Sequence, residues 1–183
     1  MIDDKLNLVL DVTDNIKVFH TPISVETFEA NFRILAAANS SLFSHGAHYA
    51  YANGPRIAAL TLKDEGKKEA ESRMEEGDFG ASALLAEIKR LTLIVKPSAS
   101  GWEPVPVDGS GLDADEWKEL ESQIVFFTCL VSLAAKRQRK EIASGVASAL
   151  KGSIVSSSLS EWTASLPVLT KPASGPKRSS VAC

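Results

Sequence analysis

Leu6, Leu8, Leu10 and Val12 recur at period two with Asn7 and Asp11 between them, the pattern of a half-buried strand. Thr13, Asp14 and Asn15 supply turn chemistry, and residues 16–21 resume with β-branched and aromatic side chains until Pro22 ends the run. The first expectation is therefore a small N-terminal β-hairpin.

From Ser24 onward the period changes. Ser24 is placed to cap a helix over 25–43, in which Val25, Phe28, Phe32 and Leu35 return at spacings of three and four. Gly46 would stop it. A second helix is predicted over 55–74, started by Pro55, apolar through Ile57, Leu60 and Leu62 and solvated beyond, with Gly66 as a weak point costing about 1 kcal/mol relative to alanine. A third is predicted over 81–96, with Leu84, Ile88, Leu91 and Val95 as its stripe and Pro97 as its end.

Residues 97–112, rich in proline and glycine, then read as an irregular connection carrying Trp102. Asp113 is placed to cap a long helix over 113–140, striped by Trp117, Leu120, Ile124, Phe127, Val131 and Ala135. Its acidic first turn and the basic run Lys136, Arg137, Arg139 and Lys140 would match the two ends of the helix dipole. A helical continuation to Leu150 with Gly152 as stop is expected. Ser158 and Glu161 stand at capping-box spacing before a short helix with Leu159, Trp162 and Leu166. These elements add up to a mainly α fold: a multi-helix bundle with a small N-terminal β-hairpin in residues 1–166, followed by a disordered C-terminal tail over 167–183. That tail holds three prolines, Lys171, Lys177 and Arg178, and no acid.

Composition changes this picture little. Hydrophobic residues are 44% and charged residues 23%, which suit a cored domain, and a net charge of −3 gives no general attraction for polyanions. The N-terminal residues lack the pattern of a signal peptide. The longest apolar stretch, 124–135, is too short to span a bilayer, so a cytoplasmic location is expected.

Asp78, Phe79 and Gly80 copy the metal-binding triplet of protein kinases, but the catalytic and glycine-rich loops that give it meaning are missing from the sequence. His20, His45 and His48 have no HExxH or CxxC partner that would make a zinc site. Cys129 sits in the most apolar stretch and reads as a buried structural thiol, Cys183 as an exposed one. The basic run 136–140 could grip phosphates, yet on a helix it spreads around the circumference. Glu69, Glu71, Glu75, Glu76 and Asp78 lack an apolar pocket that would raise a pKa for acid catalysis. No catalytic, cofactor-binding or metal-binding residue is therefore assigned, and a non-enzymatic protein that binds other proteins is expected.

Six segments carry a more specific likeness: 16–24 (IKVFHTPIS), 28–36 (FEANFRILA), 54–62 (GPRIAALTL), 80–90 (GASALLAEIKR), 125–129 (VFFTC) and 149–154 (ALKGSI). In these the chain resembles the tail assembly chaperones of long-tailed bacteriophages. The resemblance implies a helical protein that binds the tape-measure protein, keeps it soluble and helps recruit tail-tube subunits. It implies residence in the host cell cytoplasm and absence from the mature virion. It carries no catalytic residue. A structural minor tail component retained in the virion and a small helical nucleic-acid-binding regulator are the alternatives, and self-association stays open.

Overall fold

The structure, a computed structural model, describes residues 6–44, 47–72 and 79–167. In chain order the elements are β1 (Asn7–Thr13), β2 (Ile16–His20), α1 (Val25–Ala30), α2 (Phe32–Phe43), α3 (Ala47–Ser72), α4 (Phe79–Arg90), β3 (Thr92–Ser98) and β4 (Gly101–Pro106). A single 3-10 turn (Val107–Gly109) follows, then α5 (Ala114–Leu133), α6 (Arg139–Ala149), β5 (Gly152–Val155) and α7 (Leu159–Ser165). The five strands form one sheet in the order β4-β3-β2-β1-β5 with every neighbouring pair antiparallel. The fold is thus mixed α/β, which corrects the expectation of a mainly α bundle with a small hairpin.

The hairpin is where the alternation placed it. Thr13 pairs with Ile16 across the turn, the Asn15 amide donates to the Thr13 hydroxyl, and Asp11 and Lys17 form a cross-strand ion pair. The hairpin is also the middle of a larger sheet: β3 joins β2 with Lys17 opposite Val95 and His20 opposite Thr92, and β5 joins β1 with Leu8 opposite Ile154. Both faces are covered. Leu8, Leu10, Val18 and Ile94 pack into the main core with α2, α3, α4, α5 and α6. Val9, Phe19 and Val95 point the other way and meet Trp102 of β4 and Trp162 of α7 in a second, smaller core. A strand covered on two faces carries apolar residues at adjacent positions, which is why Val9 interrupts the alternation of β1.

Four helical expectations change. The segment expected as one helix over 25–43 is two, because Asn31 leaves the helical region (φ −116°, ψ 13°) and its side-chain amide donates to the Thr27 carbonyl. Pro55 lies inside α3 rather than at its start, and the predicted end of that helix at Met74 lies outside the described residues. The helix expected over 81–96 stops at Arg90: Leu91 gives its carbonyl to the Thr21 amide, and Thr92, Ile94 and Val95 go into β3. The connection 97–112 holds the end of β3 and all of β4, an edge strand on which Pro104 and Pro106 cost no interior ladder bond.

The long helix over 113–140 also divides. Asp113 makes the expected cap, a complete capping box with Glu116, but Ala134 turns extended (ψ 136°) and ends α5 at Leu133. The basic run therefore falls in the 134–138 turn and at the start of α6, not in a last helical turn. Arg139 still serves the end of α5, its Nη2 donating to the Ala134 carbonyl at 3.2 Å. The expected Ser158–Glu161 capping box of α7 is present as well.

Gly66 has the opposite meaning from its helix propensity. A Cβ there would lie 2.4 Å from the Cβ of Ala81 and 2.6 Å from its backbone nitrogen, so the missing side chain is what lets α4 lie against α3. Gly66→Ala is expected to destabilise the protein by about 1–3 kcal/mol, the cost of overpacking, although propensity alone would make it stabilising. Urea unfolding checks the sign; a raised midpoint would mean that the two helices are not in contact there.

Candidate functional site

An apolar groove opens where the start of β1, the end of β2 and the start of β3 meet the α5–α6 turn. Pro22 ends β2 and carries the chain over the end of the sheet. Ser24 then caps α1, its hydroxyl accepting from the Thr27 amide at 3.1 Å. That entry sets Ile23 and Val25 on one wall. Val131 near the end of α5 and Arg139 at the first position of α6 form the opposite wall, and Phe19, Leu93 and Leu159 line the remainder of a hollow of about 450 Å³. A smaller hollow of about 80 Å³ shares Pro22 to Val25, Val131 and Arg139 and extends the groove to Phe28.

Beside the groove runs an apolar row. Val25 is 69% exposed and Phe32 49%, with Phe28 half-buried between them. The Phe28 and Phe32 rings meet edge to face at 5.8 Å. The spacing of three and four is the one noted in the sequence; there it marked a helix face to be buried, and two of its members stay in solvent. Arg139 is the one charged residue lining either hollow, and no carboxylate among the described residues pairs with it. Asn7 closes the groove from within: its Nδ2 donates to the Ser157 carbonyl at 3.1 Å, while its Oδ1 is buried without a partner. The groove had no signature in the sequence, since its walls come from six separate segments.

The residues singled out from the sequence do not converge on it. His20 is fully buried on the helix-facing side of the sheet. The Thr92 hydroxyl donates to the Ile88 carbonyl at 2.7 Å, so at 2.9 Å it must accept from Nδ1–H of His20. The other ring nitrogen, Nε2, then carries a lone pair with no partner, and burial pulls the imidazole pKa down to about 3. His45, Glu75, Glu76, Asp78 and Cys183 lie outside the described residues, as do the side chains of His48 and Phe79 and the surroundings of Gly80. Among the described residues no three His, Cys, Asp or Glu side chains gather in a metal-holding group, and no helix is long and apolar enough to cross a membrane. Glu69 and Glu71 are surface residues of α3, Glu71 within 4.0 Å of Lys67.

Cys129 is fully buried in α5, and desolvation pushes its thiol up to about 12. A thiol held protonated and out of reach should react with an aromatic disulfide reagent only as fast as the chain opens. Its labelling rate is expected to follow the unfolding rate across urea concentrations. Rapid labelling in native buffer of a Cys183→Ser chain would contradict the burial of α5.

No family model, no curated protein and no solved structure matches the chain. What fold and site define is a mixed α/β protein with an apolar groove beside an exposed apolar row.

Proposed function

We propose that this protein is an assembly chaperone of a long-tailed bacteriophage, working without catalysis: it binds the tape-measure protein and helps bring tail-tube subunits to it in the host cytoplasm, and leaves before the virion is complete. The observation that carries the reading is the exposed row Val25, Phe28 and Phe32 beside an open apolar groove. Two of the segments in which the chain resembles such chaperones, 16–24 and 28–36, contribute to this same corner. A long helical client presents apolar stripes that aggregate unless covered, and an apolar row with an adjacent groove is the surface that covers one.

Co-expression tests the proposal. The tape-measure protein encoded beside this chain is expected to be soluble with it and insoluble without it. Stoichiometric recovery of the chain from purified virions would favour a structural tail component instead. Retention on DNA that falls steeply with salt would favour a nucleic-acid regulator.

A further inference from the structure

We infer that the groove between α1 and the α5–α6 turn is a docking site for an amphipathic helix whose apolar stripe is flanked by carboxylates, with Arg139 as the residue that sets its sign. The inference rests on the proposed function only for the identity of the client. Its own support is the chemistry of the walls. Val25 and Phe28 of α1 and Phe32 at the start of α2, the two rings in edge-to-face contact, form a ridge that the apolar stripe of a helix can pack against. Arg139 lines the same hollow as Val25 and Phe28 and is the only charged residue among those lining it, while Glu26 and Glu29 of α1 are exposed outside the lining. One Nη2 bond to the Ala134 carbonyl holds the guanidinium in position, and the planar fork keeps further donors for a carboxylate. Arg137 in the same turn and Lys140 at the second position of α6 are exposed and add to the positive field.

Charge also decides against the chain's own C-terminal segment as the occupant. Residues 168–183 contain Lys171, Lys177 and Arg178 and neither Asp nor Glu, so they bring no carboxylate to Arg139. A partner with acids beside its apolar stripe satisfies both features of the site, whereas a purely apolar partner would leave Arg139 facing an apolar surface.

Two labelled peptides of about 18 residues, five helical turns, make the test. Both carry leucines at spacings of three and four; one has glutamates beside the stripe, the other lysines at the same positions. By fluorescence anisotropy the full-length protein is expected to bind the glutamate peptide about tenfold or more tightly than the lysine peptide. Arg139→Glu should reverse the preference, and Val25→Ser should weaken both peptides. Both positions are exposed, so unchanged circular dichroism and melting temperature are the expected controls; Arg139→Gln, which should abolish the preference without reversing it, serves if the charge reversal perturbs folding. Equal binding of the two peptides, a preference that survives Arg139→Glu, or self-association that these substitutions abolish would overturn the assignment, the last by showing a second copy in the groove. If the peptides behave as expected and the tape-measure protein stays insoluble, the chaperone reading fails and the groove stands. If the tape-measure protein is solubilised equally by wild type and variants, the chaperone reading stands and the groove falls.

Discussion

Trp162→Ala is expected to lower stability by about 3–5 kcal/mol, the usual cost of truncating a buried tryptophan. Trp162 is the centre of the second core: it is 7% exposed, its ring lies 5.4 Å from that of Phe19, and it joins α7 to the side of the sheet that faces away from the other helices. Helix α7 has only seven residues and could not persist alone, so its helicity depends on this contact and on the Ser158–Glu161 box. Without the indole, Val9, Phe19 and Val95 would face water. An ordinary domain has about 5–15 kcal/mol in total, so the variant should unfold at far lower urea. Trp162→Phe should recover much of the loss. A cost under about 1 kcal/mol for the alanine variant would mean that this face of the sheet is not sealed by α7.

The second large effect is expected in acid. His20 is neutral when folded, with its pKa pulled down to about 3, and titrates near 6.5 when unfolded. Below pH 6.5 the unfolded chain therefore binds a proton that the folded chain refuses, and stability falls as pH drops from 6.5 towards 3. Above 6.5 the group contributes no pH dependence. Between pH 7 and pH 4 this one residue should remove about 3 kcal/mol. His20→Leu isolates it: the Thr92 hydroxyl keeps its bond to the Ile88 carbonyl, and the partnerless Nε2 disappears. The variant should match or exceed wild type at pH 7 and lose about 3 kcal/mol less on acidification, measured by urea unfolding at both pH values. Parallel pH profiles would place His20 within reach of solvent.

These two residues also mark how far the sequence could be read. Elements specified by local chemistry were legible: the Thr13–Asn15 turn, the Ser24 and Asp113 caps and the capping box at Ser158 act over three or four residues. The sheet was not, because its strands owe their state to partners far along the chain. Leu84, Ile88, Leu91 and Val95 fit a helical stripe, and a short apolar run fits a strand equally well. What decides is that Thr92, Ile94 and Val95 are β-branched or apolar on both sides and find β2 some 75 residues earlier, as in the pairing of His20 with Thr92. β5, four residues long and beginning at Gly152, carried too little pattern of its own. Tertiary contact reversed the reading of Gly66, since propensity is a weak guide where another helix touches the position.

The tail boundary shifts for a similar reason. Trp102 Nε1–H donates to the Pro167 carbonyl at 2.8 Å, so Pro167 belongs with the second core, and 168–183 lie outside the described residues. At the candidate site, the sequence contained the apolar spacing of Val25, Phe28 and Phe32 and the cations near Arg139. It could not say that they face one another, because that depends on α5 ending at Leu133. No local signal marks that end: Ala134 and Ala135 are good helix formers.

The central claim, that apolar surface on this chain holds a long helical client in solution, is tested most directly by the salt dependence of the complex with the tape-measure protein. Contacts that draw their energy from buried apolar area should survive at about 0.5 M salt, where exposed charges no longer attract over any distance, with the loss limited to the roughly tenfold share assigned to Arg139. Size-exclusion chromatography of the co-expressed pair is therefore expected to give one co-eluting peak in both low and high salt. Separation of the two proteins at high salt, or a tape-measure protein that stays insoluble beside well-folded chain, would contradict the account.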